Sequence, residues 1–381
     1  MDIPVIKSFI VDNQHYVLFD FFLLCLLIQL IYYAGIYSRL AFYKSKPSSP
    51  VSEPVSVVIC ARNEAENLEK FLPSILSQQY PEYEVIVVDD GSSDETEMTI
   101  RRLMDRYPQL RTTTIREDKK FSHGKKLAVT IGIKAARHDI LVFTDADCEP
   151  ASDQWLNKMV SGFTGNKKMV LGYGGYFSQK GFLNKIIRYD TLIIAMQYLS
   201  FAISGFPYMG VGRNLAYRKS FFYQTAGFSK HLHVLSGDDD LFINENATKK
   251  NTAVEYSRES HTRSEPASSF RQWSRQKKRH LTTSPLYKVK HKFLLILEPF
   301  SRLLFYIFFI ILLWSPALWT YALGAFIFRM ILQMLVIKTS MIRLKENNLL
   351  LYSFIFDVFA LFINFVFFVS NRISVRNRPW K

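Results

Sequence analysis

The sequence predicts an α/β fold, a mostly parallel sheet with helices on both faces, in a cytosolic domain flanked by transmembrane helices. Apolar β-branched runs alternate with helical segments between residues 51 and 290, the pattern of parallel strands buried on both sides. Long charge-free stretches lie before and after that region. Acids collect where two of the strands end, Asp89 and Asp90 after one, Asp145 and Asp147 after another, and sheets of this kind bind ligands at the carboxyl ends of their strands. The chain therefore divides into an anchor and linker over 1–46, a globular domain over 47–290, and C-terminal transmembrane or interfacial helices with a basic tail over 291–381.

Composition agrees with this layout. A 381-residue chain with 49% hydrophobic and 21% charged residues is not disordered. Its 32 Phe and 20 Tyr are heavy for a soluble enzyme and point to lipid contact. Three cysteines, with Cys25 inside an apolar run, make no disulfide framework. A formal charge of +15 favours anionic partners: phosphorylated substrates, an acidic membrane face or nucleic acid. The basic residues gather beside the apolar segments and do not interleave with aromatics on a sheet face, so no nucleic-acid partner is expected.

In chain order, Phe21 to Ser38 carries no charge and is long enough to span a membrane. The polar linker YKSKPSSPVSEP follows with no small-residue cleavage site, so this reads as an uncleaved anchor. Asp2, Asp12 and Asp20 precede the span, opposed only by Lys7, while Arg39, Lys44 and Lys46 follow it. Positive residues stay cytoplasmic, which places the central domain in the cytosol. Residues 181–205 are apolar but carry Lys185, Arg188 and Asp190 at helical spacing, so they read as a domain helix with a broad apolar face. No charge falls between Leu303 and Phe328, and Ser315-Pro316 with Trp314, Trp319 and Tyr321 marks a hairpin at a membrane interface. Its return leg ends at Lys338, Arg343 and Lys345. A further span over 349–370, interrupted by Asp357, would put Arg372, Arg376, Arg378 and Lys381 outside, against the same charge rule. One C-terminal segment is therefore expected to be re-entrant or interfacial.

Within the domain, VSVVIC (55–60) is a buried strand and Asn63 to Gln79 a helix despite Pro73. EVIVVDD (84–90), a helix around Glu95 to Tyr107, a strand near Thr112–Ile115, a helix near Lys125–Arg137 and the strand DILVFTDAD follow. Turn chemistry at Asp90-Gly91-Ser92-Ser93 and capping by Asp94 explain one acid per turn. They do not explain two turns that converge.

VSVVICARNEAENL, EVIVVDDGSSDET, HGKKLAVTIGIKAA and DILVFTDAD, in this order, resemble the nucleotide-sugar-binding half of family-2 glycosyltransferases, whose fold is GT-A, Rossmann-like with a mostly parallel sheet. The resemblance covers residues 54–281, and the flanking apolar segments resemble the membrane-bound branch that includes ceramide glucosyltransferases and processive polysaccharide synthases. It implies an inverting transfer from a nucleotide-sugar, expected to be UDP-linked, to a lipid or glycan hydroxyl. It also implies Cys60, Ala61, Arg62 and Glu64 at the nucleoside, Asp90 on the base, and Lys125 near the nucleotide. Alternation along an extended Asp145-Ala146-Asp147 points both carboxylates to one side. A hard Mg²⁺ or Mn²⁺ fits such a pair and would offset the charge of a departing diphosphate. By similarity Asp147 is the direct metal ligand and Asp145 a ribose or second metal contact.

GVGRNLAYRKSFF resembles the family's acceptor-side segment, and LSGDDDLFINENA supplies three consecutive acids. Mutual repulsion raises at least one of their pKa values, which suits a group that must take a proton. The resemblance makes Asp239 the base with Asp238 beside it, in a register open by one residue, and leaves Asp240 as a helix cap. FRQWSRQKKRHL resembles the Gln-X-X-Arg-Trp signature as Gln276, Arg279 and His280, with His replacing Trp. That exchange removes area for stacking on a sugar, which weighs against a processive polymerase more than against catalysis. A nucleotidyltransferase would want a Gly-rich phosphate loop, and CARNEAEN has no Gly. A nucleotide-sensing transport or assembly subunit would want charged residues within its spans, for which Asp357 is the main candidate. The compact layout is the one hint of a bacterial inner membrane.

Overall fold

The computed structural model describes residues 14–43, 53–116, 124–232, 234 and 236–373. His123, Lys44, Lys46, the residues before Gln14 and the basic tail after Ile373 lie outside the described residues.

The chain opens with α1 (Gln14–Phe42), continuous through a π-helical stretch at Ile31–Tyr37. The domain then runs β1 (Val55–Ala61), α2 (Ala65–Leu76), β2 (Tyr83–Asp89), α3 (Thr96–Met104), β3 (Leu110–Thr114), α4 (Lys125–Ala135) and β4 (Ile140–Asp145). Next come β5 (Cys148–Pro150), α5 (Trp155–Ser161), β6 (Met169–Leu171), β7 (Gly174–Tyr176) and α6 (Phe182–Ile203). The remainder of the domain is β8 (Leu215–Arg218), α7 (Lys219–Gln224), α8 (Asp240–Asn246), β9 (Thr252–Val254), β10 (Thr262–Ser264) and α9 (Phe270–His280). Three apolar helices close the chain, α10 (Val289–Leu312), α11 (Trp319–Arg343) and α12 (Tyr352–Ile373).

A seven-stranded sheet has the order β3-β2-β1-β4-β8-β6-β9. Its first four strands are parallel, and β8 enters antiparallel between β4 and β6. Because side chains alternate across a strand, each apolar run supplies both faces. Val57, Ile59, Val85, Val87, Ile140 and Val142 bury against Leu68, Leu72, Ile100, Leu103 and Trp155 of α2, α3 and α5. Val58, Ile86, Val88, Leu141 and Phe143 bury on the other side with Ala128, Val129 and Ile133 of α4. Each such side chain contributes about 2 kcal/mol of burial free energy. Gly132 lets α4 settle onto the sheet, since a Cβ there would meet Val58 Cγ1 at 2.5 Å. The alternating pattern thus yields the expected doubly wound sheet.

Register sets the site. Ala61 pairs with Asp89, and Cys60 with Asp145, so the carboxyl ends of β2, β1 and β4 stop side by side. A second sheet, β5-β10-β7, is attached just beyond.

Among the described residues, four helices are long and apolar enough to cross a membrane: α1, α6, α10 and α11. In α6, 56% of the most apolar stretch is buried inside the protein, against 17% in α10. It packs on β7, β9 and the end of α1, as a domain helix would. α10 and α11 form the hairpin expected around Ser315-Pro316. Helix α12 touches the domain along its length: Phe356 stacks on Tyr189 of α6 with centroids 5.1 Å apart, and Phe367 meets Trp273 of α9 at 5.8 Å.

Candidate active site

Two loops form the rim on the β1 and β2 side. Asn63 sits at φ 55°, a left-handed conformation that Asn tolerates better than most residues. There its Oδ1 accepts from the Ser93 N–H at 2.8 Å while its own N–H donates to Ser92 Oγ at 2.9 Å. The Glu64 N–H donates to Thr96 Oγ1 and the Ala65 N–H to Asp94 Oδ2. The Asp90 N–H donates to the Ala61 carbonyl at 2.9 Å. These bonds stitch the β1–α2 and β2–α3 loops together, bringing Ala61, Arg62, Glu64 and the fully buried Asp90 into one neighbourhood. Asp94 also accepts from the Thr96 N–H, but the residue at the N-cap of α3 is Glu95, without a side-chain cap bond, so Asp94 is a turn-forming residue one position ahead of the cap and not the cap that the sequence suggested.

The chemistry-bearing groups meet next to this rim. Cys60, Lys125, Asp145, Gly212, Asp238 and Asp239 line a single pocket floored by Val58, Phe143 and Leu215. Lys125 opens α4 and its ammonium lies 2.8 Å from Asp145 and 3.7 Å from Asp238. The strand end and the distant acidic loop are thus joined by one cation. Burial pushes the Lys125 pKa down, but Asp145, Asp238 and Asp239 outweigh it and hold the group charged. Burial likewise pushes Asp145 up, and the Lys125 charge and hydrogen bond more than reverse this, keeping it ionised. For Asp147, burial and then the Asp145 charge outweigh Arg213 and Lys125 and push it up to about 6.

Asp145, Asp147 and Cys148 each offer a ligand atom within 4.8 Å of the others. Paired carboxylates are the donor set of a hard divalent cation. Burial raises the Cys148 thiol well above neutrality, which leaves it a neutral neighbour and not a thiolate ligand. The residues present therefore fit Mg²⁺ or Mn²⁺ held by oxygen.

In the acidic loop the three aspartates separate into different roles. Asp239 Oδ2 accepts from the Gly212 N–H at 2.7 Å, and Oδ1 from the Asp240 N–H at 2.8 Å, so backbone donors fix its orientation. Asp238 is pushed up by burial, with Lys125 opposing and Asp239 adding to the shift. Asp240 is not the cap that the sequence suggested, because Asp239 performs the capping. Its carboxylate instead accepts from the hydroxyls of Thr283 and Tyr287, the latter at 2.7 Å. Lys126, the residue after Lys125, is buried and donates to the His231 and Val234 carbonyls at 2.6 and 3.0 Å.

Residues of α9 complete one wall. Gln276 Nε2 donates to the Tyr176 hydroxyl at 3.1 Å, and Arg279 is close enough to help hold Asp145 ionised. The surrounding protein, then the charges of Arg279, Arg213, Lys277 and Lys125, lower the His280 pKa and keep its exposed ring neutral. Sequence reasoning missed Arg213. Its guanidinium stacks 4.3 Å from the centroid of Tyr176 and acts on both Asp145 and Asp147. The signal was an Arg between glycine-rich turn residues and the strand LAYR. Tyr176 and Cys148 carried no comparable signal, since only the second sheet brings them here.

Comparison with known proteins bears on the family and the fold. The sequence pattern described as Glycosyl transferase family 2 matches residues 56–225. Glycosyltransferase AglE of Haloferax volcanii is 37% identical over 139 residues, 36% of this chain and 44% of that protein. Poly-beta-1,6-N-acetyl-D-glucosamine synthase of Staphylococcus epidermidis is 30% identical over 161 residues, 41% of this chain and 37% of its own length. The chain thus spans less than half the length of either relative. Among solved structures, Mannosyltransferase PcManGT from Pyrobaculum calidifontis, in complex with GDP-Man and Mn²⁺, superposes with a TM-score of 0.57. The two are 18% identical over 87% of this chain and 98% of that one, a likeness of fold. With the motif order and the strand-end geometry, these matches make residues 56–225 a family-2 glycosyltransferase domain of GT-A fold, in a chain whose flanking helices are long and apolar enough to cross a membrane.

Proposed function

We propose that this chain is an inverting hexosyltransferase that moves a sugar from a nucleoside-diphosphate donor to a lipid or glycan hydroxyl at the cytosolic membrane face. The observation that carries the reading is the meeting of Asp145, Lys125, Asp238 and Asp239 in one pocket. These residues come from three places far apart in the sequence. The rim at Ala61, Arg62, Glu64 and Asp90 receives the nucleoside. Asp145 and Asp147 would hold a divalent cation, which would offset charge on the diphosphate when bound. Lys125, Arg213 and Arg279 supply positive charge around the leaving group, where preorganised cations act most strongly. Asp239, oriented by two backbone N–H groups, takes the proton from the acceptor hydroxyl. The acceptor oxygen then bonds to the anomeric carbon as the bond from that carbon to the phosphate oxygen breaks, releasing the nucleoside diphosphate.

A membrane-borne acceptor is supported by how the base is mounted. Asp240 is held by Thr283 and Tyr287, Asn244 Oδ1 accepts from the Lys288 N–H, and the Asn244 side chain meets His291 of α10. The base-bearing helix is therefore fastened to the entry of an apolar helix. We read α12, which rests on α6 and α9, as the expected interfacial segment. Single transfer is favoured over processive synthesis because ion pairs fill the contacts among α1, α10, α11 and α12: Asp357 bonds Arg302 at 2.8 Å and Arg329 at 3.0 Å, and Arg329 bonds Gln29. The same pairing accounts for Asp357 without a transport role.

The test is a screen of UDP- and GDP-sugars with the purified chain in detergent, membrane lipid extract and Mg²⁺ or Mn²⁺, read by mass spectrometry. A new glycosylated product that needs the metal and disappears in Asp147→Ala is expected. Release of no nucleoside diphosphate from any donor, or full turnover by Asp147→Ala, overturns the reading.

A further inference from the structure

Glu346 lies in the loop between α11 and α12, outside every motif discussed above, yet its side chain is 1% exposed. Both carboxylate oxygens are engaged. Oε2 accepts from Arg188 Nε at 2.9 Å and Nη2 at 2.6 Å. Oε1 accepts from the Tyr173 hydroxyl at 2.9 Å and from Arg263 Nη1. Arg263 continues outward to the Leu344 and Lys345 carbonyls, and Arg188 to Ser178 Oγ and Asn347. The loop is held in an unusual shape, with Lys345 at φ 55° and Asn348 at φ 57°. A lysine there persists only where its surroundings over-determine the backbone.

The other end of this cluster reaches the donor site. Arg263 is the middle residue of β10, the central strand of the small sheet. Strands of three residues carry few ladder bonds, so side-chain anchoring weighs heavily in their register. In that register Ser264 pairs with Cys148 on one side and Tyr176 on the other. Ser264 Oγ touches Cys148 Sγ at 3.0 Å, and Cys148 adjoins Asp147. Tyr176 carries the Arg213 guanidinium and accepts from Gln276. Since neighbours on a strand point to opposite faces, β10 directs Arg263 toward the loop that joins the apolar helices and Ser264 toward the cation-binding carboxylates.

We propose that Glu346 is a positioning residue, a carboxylate from the loop between two apolar helices that fixes β10 and thereby the spacing of Asp147 and Arg213. This rests on the glycosyltransferase reading only for what the spacing serves. The geometry couples the placement of the loop between α11 and α12 to the divalent-cation site, so a displacement of that loop, and not a loosening deeper among the apolar helices, is transmitted to the donor pocket.

The experiment compares wild type, Glu346→Gln, Tyr173→Phe and Asp357→Asn as full chains in detergent. Mn²⁺ binding is measured by the loss of the free-ion magnetic-resonance signal, and amide hydrogen exchange by mass spectrometry. Glu346→Gln is expected to weaken Mn²⁺ binding about tenfold, as removal of a partner behind a ligand does, and to speed exchange in β5 and β10. Tyr173→Phe keeps the charges paired and should shift both readouts in the same direction by less. Asp357→Asn, a purely structural control, should melt earlier with Mn²⁺ binding unchanged. Should Glu346→Gln fail to fold, Tyr173→Phe decides alone. Unchanged Mn²⁺ binding and unchanged exchange in the folded variants overturn the proposal. Neither readout needs turnover, so a wild type that binds Mn²⁺ but transfers no sugar sinks the enzymatic reading and leaves this one standing.

Discussion

Three adjacent aspartates illustrate how little identity alone says about a side chain. Asp238, Asp239 and Asp240 share a composition, but one faces Lys125, one is gripped by the Gly212 and Asp240 amides, and one is drawn away to Thr283 and Tyr287. The direction of each follows from where α8 begins, since Asp239 caps that helix. Asp239→Asn should retain donor binding, measured calorimetrically, and lose about a hundredfold or more in transfer rate, the scale of general-base removal. If Asp238→Asn alone does so, the base is one residue earlier. Asp240 supplies a pH prediction. Burial, then the Asp239 charge, push it up to about 7 from an ordinary 3.8. An acid whose folded pKa is raised stabilises the fold fully below the unfolded value and loses that contribution as pH rises through the folded one. Melting temperature should therefore fall between about pH 4 and pH 7 through this group, and Asp240→Asn should flatten that slope.

At the scale of elements, the strand ends and the short sheet divide the work. The parallel strands β1, β2 and β4 stop at one level because their pairing is in register, and that alone delivers Cys60, Asp89 and Asp145 to a common edge. The small sheet adds a seat for a second cation, because Tyr176 of β7 carries the guanidinium of Arg213, which lies just ahead of β8 in the main sheet. Arg213 stays charged despite burial because Tyr176, Cys148, Asp145 and Asp147 outweigh the desolvation. Arg213→Lys keeps the charge but loses the planar contact with Tyr176, and such exchanges are not conservative at stacked sites. Steady-state kinetics should show a fall of about tenfold in kcat/KM, the loss of about 1.4 kcal/mol of transition-state stabilisation. A value indistinguishable from wild type would reassign Arg213 to structure. The sequence disclosed the strands well, since β-branched runs leave few alternatives. It disclosed β5, β7 and β10 poorly, because three residues are too few to show a period.

Across the whole molecule, the apolar helices are joined by polar groups. Glu298, Arg302, Arg329 and Asp357, with Gln29 and Ser301, tie α1, α10, α11 and α12 into one bundle. Asp357→Asn strands two buried guanidinium groups and should cost about 3 kcal/mol or more of stability, seen as earlier melting in detergent, with metal-dependent turnover retained at low temperature. Loss of turnover in a variant that melts normally would point to a functional role for Asp357. By itself the sequence determined the N-terminal apolar helix, the hairpin at Ser315-Pro316, the alternating strands and the acids at their ends, because periodicity, charge spacing and motif order are local or ordered along the chain. Only the tertiary structure decided that Lys125 bridges Asp145 to Asp238, that Arg213 joins the carboxylates, and that Glu346 reaches into the domain. Those juxtapositions depend on strand register and on how helices far apart in sequence pack together, and neither leaves a periodic trace in the sequence of residues.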